Sequence, residues 1–304
     1  MRAPLGFIIL SHTQLEPLKR LTRALNRAYN DPPIAIHHDF SQSRIDIGQL
    51  RGDIRFVNPS LITRWGDISL IHATLAALRE LYDHYDPEWF TILSTADYPT
   101  MPARQVISEL QKNEFDAYLD YVPVERFPAN VEIIRLGRPQ PEWQRNAYDR
   151  YVAKTIKLPS AISWPTRNRP QIVIRSSFLL APFVPYSRIW KCYAGDFWFT
   201  ANRTVAKILL SDIAPVKKTL RHLRKRFAAD ETFHHTVLAN HTALRICTDN
   251  KRYTKWLLRA RNPKVLEITD LPDILHSKCH FARKFSGDSN STVLDELDRL
   301  LDHQ

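Results

Sequence analysis

Along the first hundred residues, apolar and polar positions follow two different periods. GFIIL (6–10), IAIHH (34–38), IRFV (54–57) and WFTILS (89–94) are short apolar runs, the pattern of strands buried on both faces. LEPLKRLTRALNRAY and ISLIHATLAALRELYDHY instead space their apolar residues three and four apart, as amphipathic helices do. The resulting order is β-α-β-β-α-β. Strands separated by helices predict an α/β fold with a largely parallel sheet and helices on both faces, whose ligands lie beyond the carboxyl ends of the strands. Those ends are Ser11-His12, His38-Asp39, Asn58 and Ser94 to Asp97.

The pattern changes from about residue 121 to 180, where prolines at 123, 128, 139, 141, 159, 165 and 170 stand among aromatic and basic residues. Long connections on a rigid scaffold commonly carry binding function, so this region is expected on the substrate side. Compact alternation returns with RSSFLLAP, KCYAGDFWFT, a helix from about 202, VKKTLRHLRKRF (216–227) and DETFHHTVLAN. No internal repeat or low-complexity segment interrupts the chain.

Composition narrows the classes. A chain of 304 residues at 44% hydrophobic can bury a large core, and no run approaches the roughly 18 apolar residues of a membrane span. The N-terminal MRAPLGFIILSHTQ reads as a first buried strand rather than a signal segment. Three widely spaced cysteines, Cys192, Cys247 and Cys279, support no disulfide framework and suit a reducing compartment, so a cytoplasmic location is expected, peripheral to the inner membrane face if the basic helix makes contact there. The formal charge of +11 favours an anionic partner.

The motifs then bear on chemistry. With only seven glycines, the chain has neither G-x-G-x-x-G nor G-x-x-x-x-G-K-[ST], so phosphates would be met by side-chain cations. No two aspartates are two apart, which removes the D-x-D word that holds a divalent metal in many sugar-nucleotide enzymes; no metal and no cofactor is expected. HSKCH (276–280) lacks a further ligand group and reads as packing. In CHFARKFS, an extended chain would put Phe281, Arg283 and Phe285 on one side and Ala282 and Lys284 on the other, so that two rings anchor the segment and aim Lys284. In RKRFAADETFHHTVLAN, Asp230 is placed to cap a helix beginning at Glu231, with Phe233, Val237 and Leu238 buried. Glu231 is then either a first-turn acid or a general base. Lys217, Lys218, Arg221, Arg224, Lys225 and Arg226 surround the segment 216–227, with Leu220, Leu223 and Phe227 as its apolar side. That helix could lie on anionic lipid, and a non-catalytic basic module binding anionic lipid or nucleic acid is the alternative reading.

Taken together, IHHDF, RWGDISLIHATLAALREL, FTILSTADYPT, GDFWFT, ADETFHHTVLAN, LRIC, NPKVLEITDL and HFARKFS occur in the order and rough spacing of the core-2/I-branching β-1,6-N-acetylglucosaminyltransferase family, which also contains peptide O-xylosyltransferases, plant glucuronosyltransferases and many bacterial members. The chain resembles a bacterial-type member from about residue 4 to 286. The resemblance implies a GT-A-like glycosyltransferase fold, with residues 1–120 as the nucleotide-sugar-binding half and 121–304 as the acceptor-binding and catalytic half, closely joined. It implies an inverting, metal-independent transfer from a UDP-sugar, GlcNAc or xylose foremost, to a hydroxyl of a glycan, lipid-linked glycan or peptide. No nucleic-acid partner is expected. By the family pattern Asp39 resembles the uracil contact and Glu231 the catalytic base, while Lys264 and Lys284 resemble the diphosphate-neutralising pair, with Arg283 beside them. The chain departs from the pattern at Gly195-Asp196-Phe197-Trp198, where the family commonly reads G-S-x-W, and at Asp249, where it commonly has tryptophan. In PQPEWQRNAYDRY only Arg150-Tyr151 resembles a local R-Y word.

Overall fold

The computed structural model describes residues 2–129, 133–157, 171–180, 182–287 and 291–302. Parts of the proline-rich middle, 130–132 and 158–170, therefore lie outside the described residues. The opening elements follow the sequence periods: strand β1 (Leu5–Ser11), helix α1 (Leu15–Tyr29), strands β2 (Ile34–His38) and β3 (Ile54–Phe56), helix α2 (Ser69–His84) and strand β4 (Trp89–Ser94). After them come strand β5 (Asp97–Pro99), helix α3 (Ala103–Gln111) and strand β6 (Ala117–Tyr118).

Strands β1 to β4 are parallel, with β1 pairing β2 on one side and β4 on the other. The strand Thr200–Asn202 runs antiparallel between β4 and β6, and Ile246–Cys247 closes that edge, giving seven strands in all. Strands from both halves of the chain thus share one sheet. Alternate β1 side chains enter different cores. Ile8 and Leu10 join α2 and the helices Arg203–Leu209, Ala214–Leu223 and Phe233–Ala239. Phe7 and Ile9 join α1, α3 and the helix Thr292–Asp302. This layered arrangement is the GT-A-like, Rossmann-like α/β architecture expected from the sequence. Because α1 and α2 lie on opposite faces of the sheet, the order in which strands are added reverses between β1 and β4, the place where such sheets open a crevice at the carboxyl edge.

A small second sheet sits over that edge. The strand Phe281–Arg283 pairs antiparallel with β5 and parallel with Arg252–Thr254. Phe281 and Phe285 are buried in one core, as the sequence required of anchors. Arg283 does not enter that core with them: its guanidinium lies 4.0 Å over the Trp198 ring and 3.6 Å from Asp97, and the strand ends at Arg283, before Lys284 and Phe285. A fully buried ion pair, Arg252 to Asp97 at 3.0 Å, ties the two outer strands together.

Two further expectations are corrected. Asp230 does not cap a helix beginning at Glu231, because Ala229–Glu231 forms a 3-10 turn and the helix starts at Phe233 without any side-chain cap. The basic helix ends at Leu223. Beyond it the chain turns, burying part of Arg226, which donates to the carbonyls of Ala153 and Arg150, and leaving Phe227 exposed against Trp65. Arg226 is thus a structural clamp, and the exposed cations are Lys217, Lys218, Arg221, Arg224 and Lys225.

Candidate active site at the carboxyl edge

The segment that ends β2 is organised around Asp39. Its Oδ1 accepts from the Ser41 amide and hydroxyl at 3.0 and 2.6 Å, and its Oδ2 from Gln42 and from the Thr63 amide and hydroxyl at 2.7, 2.7 and 2.9 Å. Burial alone would raise this carboxyl's pKa, but five donors favour the charged form and hold it far below the ordinary range. Asp39 stands at the strand end where the sheet predicts a ligand, with both oxygens engaged in fixing the loop walls 39–43 and 61–63. Across the crevice, Thr13 and Thr95 join the turns after β1 and β4 through their hydroxyls at 3.1 Å. Asp97 caps the second of these turns, accepting from the Ser94 amide and hydroxyl.

The cations of the FARKF word lie over this turn. The Phe285 amide bonds the Ala96 carbonyl, and the Lys284 carbonyl accepts from the Leu266 amide at 2.8 Å, so Lys284 and the 264–266 segment are neighbours. Lys284 makes no side-chain ion pair or hydrogen bond among the described residues. Lys264 differs: its ammonium is 2.7 Å from Asp270, which Lys255 also contacts at 2.8 Å. Although burial raises Asp270, these two cations pull its pKa down to about 2. The two lysines that the sequence pairs are therefore adjacent in the fold but unequal. Lys284 is uncommitted, and Lys264 is held by a buried carboxylate.

Glu231 is reached through the chain that precedes the strand Thr200–Asn202. Its carbonyl accepts from the Gly195 amide at 2.9 Å, and Gly195 is obligatory because a Cβ there would lie 1.9 Å from the Asp120 carbonyl oxygen. The carboxylate is held at one oxygen: Oε2 accepts from Arg150 at 2.8 Å and from the Tyr151 hydroxyl at 2.9 Å. Oε1 makes no hydrogen bond among the described residues and is not fully buried. The side chain is 26% exposed, in a recess. Burial raises its pKa, with Arg150 and Tyr151 opposing the rise. Beside it, Asp230 is pushed up to about 7, first by burial and then by the charge of Glu231. Arg150 also stacks on Tyr151 and Phe227, which fixes the guanidinium from behind.

Sequence reasoning singled out Glu231 but not its clamp. Arg150-Tyr151 was visible as a two-letter word with no assigned contact, and it lies 80 residues from Glu231 in the chain. Asp120, Arg135 and Asp196 were also missed as a group. Arg135 donates to Asp120 at 2.5 Å, and the Asp196 amide faces the same oxygen at 3.4 Å. Burial pushes Asp196 up to about 6, partly countered by Arg283. His280 is fully buried on Glu109 at 3.1 Å, and no group of three or more His, Cys, Asp or Glu side chains among the described residues is arranged to hold a metal ion.

A carboxylate with one clamped and one open oxygen, together with one uncommitted lysine over the carboxyl edge of a largely parallel sheet, has the chemistry that a group-transfer site needs. The chain belongs to the core-2/I-branching enzyme family, whose profile, "Branch: Core-2/I-Branching enzyme", matches residues 5–274, and it is accordingly a glycosyltransferase of the branching-enzyme type. No curated protein matches the sequence. Among solved structures, a CMP:2-keto-3-deoxy-manno-octonic acid synthetase complexed with CTP is similar at 14% identity and a TM-score of 0.28, over 72% of this chain and 84% of that one.

Proposed function

We propose that the protein transfers a sugar from a UDP-sugar to an acceptor hydroxyl with inversion and without a metal ion. The observation that carries this reading is the half-clamped Glu231. In a single displacement its open Oε1 takes the acceptor proton as the acceptor oxygen bonds the anomeric carbon, and the bond from that carbon to the phosphate oxygen breaks. Arg150 and Tyr151 hold the carboxylate through Oε2, and both oppose the rise that burial imposes on its pKa. The negative charge that develops on departing UDP falls to Lys284, and Arg283 and Lys264 strengthen the positive field around it. The absence of any D-x-D word in the sequence supports diphosphate neutralisation by these side chains. In this reading residues 1–120 hold the nucleotide, with the Asp39 loop at the base end, and residues 121–304 hold the acceptor and the base. GlcNAc and xylose are the favoured sugars, and a glycan, lipid-linked glycan or peptide is the acceptor.

Calorimetry with UDP in excess EDTA tests the reading. Binding with the same affinity with and without the chelator is expected. Binding that needs a divalent ion would overturn the metal-free mechanism, and no binding under either condition would return the chain to a basic module without chemistry.

A further inference from the structure

The nucleotide-sugar reading leaves Asp196 without a role, and its segment runs between the Glu231 backbone and the Arg283 guanidinium. The strand Thr200–Asn202 runs antiparallel to β4, with Thr200 opposite Thr91 and the Phe199 carbonyl accepting from the Ile92 amide. The residues before it therefore lead back over the carboxyl end of β4, beside Ser94 to Asp97. One neighbour of Asp196, Gly195, bonds the Glu231 backbone, and two residues later Trp198 carries the Arg283 guanidinium. A sugar that spans the base and the diphosphate cations passes this position.

The carboxylate is poorly satisfied from within the protein. Among the described residues, Oδ2 receives only a long contact from Asn250 at 3.4 Å, and Oδ1 makes no hydrogen bond and is not fully buried. A partly buried carboxylate short of donors is costly to keep, so it fits a ligand that supplies them. Sugar hydroxyls do. The surrounding charges set a second condition: the Asp196 amide approaches Asp120, and the neighbouring Gly195 amide bonds the Glu231 backbone, so two further carboxyl groups lie along this segment, each already paired with an arginine, Arg135 and Arg150. Arg283, whose charge acts on Asp196, is committed to Trp198 and, at 3.6 Å, to Asp97.

Resting on the UDP-sugar reading, we propose that Asp196 is the specificity-determining residue of the donor site, accepting hydrogen bonds from the sugar's hydroxyls and excluding sugars that carry a carboxylate. The site thus takes neutral pentoses or hexoses and rejects uronic acids.

UDP-xylose and UDP-glucuronate give the direct comparison, since the two sugars differ only by the carboxylate on C5. Binding is measured by calorimetry and turnover by UDP release, for the wild type, Asp196→Asn and Asp196→Ser, with melting temperatures to confirm folding. The wild type is expected to bind UDP-glucuronate at least about tenfold more weakly than UDP-xylose, the scale of one like-charge contact in a partly screened site. Both variants should shrink that gap at least about threefold while leaving affinity for UDP itself unchanged. Equal binding of the two donors by the wild type, or a gap that neither folded variant alters, overturns the assignment of Asp196 while the UDP-sugar reading stands. Failure of the wild type to bind UDP at all overturns both.

Discussion

Replacing Arg150 with Met removes the charge that faces Glu231 while keeping a stem long enough to pack against Phe227 and Tyr151. In the native site the guanidinium donates to Oε2 at 2.8 Å, a charge-assisted bond of the kind worth about 1.5–3 kcal/mol. Its loss acts on the ionised form of Glu231 alone. At about 1.4 kcal/mol per pH unit, the carboxyl's pKa should climb by about one to two units above a value that burial has already raised. A general base works only when ionised, so the acid limb of the rate profile should move to higher pH by the same amount. Tyr151→Phe removes a neutral hydroxyl donor at 2.9 Å and should shift the limb by less than about one unit. The assay is UDP release from UDP-GlcNAc or UDP-xylose between pH 5 and 9, with nucleotide affinity measured alongside. If the limb stays in place in a folded Arg150→Met protein whose UDP affinity is unchanged, Glu231 is not the titrating base and the clamp is structural only.

Glu231→Gln keeps size and both clamp contacts while removing the base, so transfer should collapse and UDP affinity should hold; normal transfer to a verified acceptor would send the search for a base to Asp230 or Asp196. Lys284→Ala should weaken UDP binding and slow turnover by on the order of 100-fold with no change in melting temperature, whereas Lys264→Ala should lower the melting temperature as well, since it strips a partner from buried Asp270. Gly195→Ala must displace the Asp120 carbonyl and should cost about 3 kcal/mol or more in denaturant titrations; a near-neutral result would show that this crossing is soft. Asp230, raised from 3.8 to about 7, binds its proton more tightly when folded, so its contribution should be full below about pH 4 and fade as pH rises to about 7. At about 1.4 kcal/mol per pH unit the loss is at most about 4 kcal/mol. Asp230→Asn should therefore flatten the decline in thermal stability over that window, and an unaltered slope would place the decline on another group.

The sheet was legible in the sequence because its strands are buried on both faces and its two crossover helices are strongly amphipathic, so local period and tertiary environment agree. Agreement failed where a segment serves two masters. In 216–227 the helical spacing of leucines runs on through Phe227, but Arg226 is needed by the Ala153 and Arg150 carbonyls, and the chain turns to deliver it. At Asp230 the residue type suits a helix cap, yet the 3-10 turn Ala229–Glu231 sets the register of Glu231 instead. Both errors read a polar residue as part of a regular helix; for Arg226 a distant backbone decided its place, and for Asp230 a tight local turn did.

The site divides along the same line. Glu231 and Lys284 lie in words that survive as local patterns, and the two phenylalanines that anchor the segment, Phe281 and Phe285, flank Lys284 within three residues. What those residues do depends on partners that no local pattern carries. Lys264 and Lys284 read alike as basic residues in family words, but only the fold shows that Asp270 takes up the first and leaves the second free. Glu231 reads equally as a first-turn acid or a base until Arg150 and Tyr151 arrive from another helix to occupy one oxygen and leave the other open. A helix-start acid would spend its oxygens on the first-turn amides; this one makes no cap contact at all. The choice between the two roles is therefore made by hydrogen-bond direction, and that is a property of the folded chain.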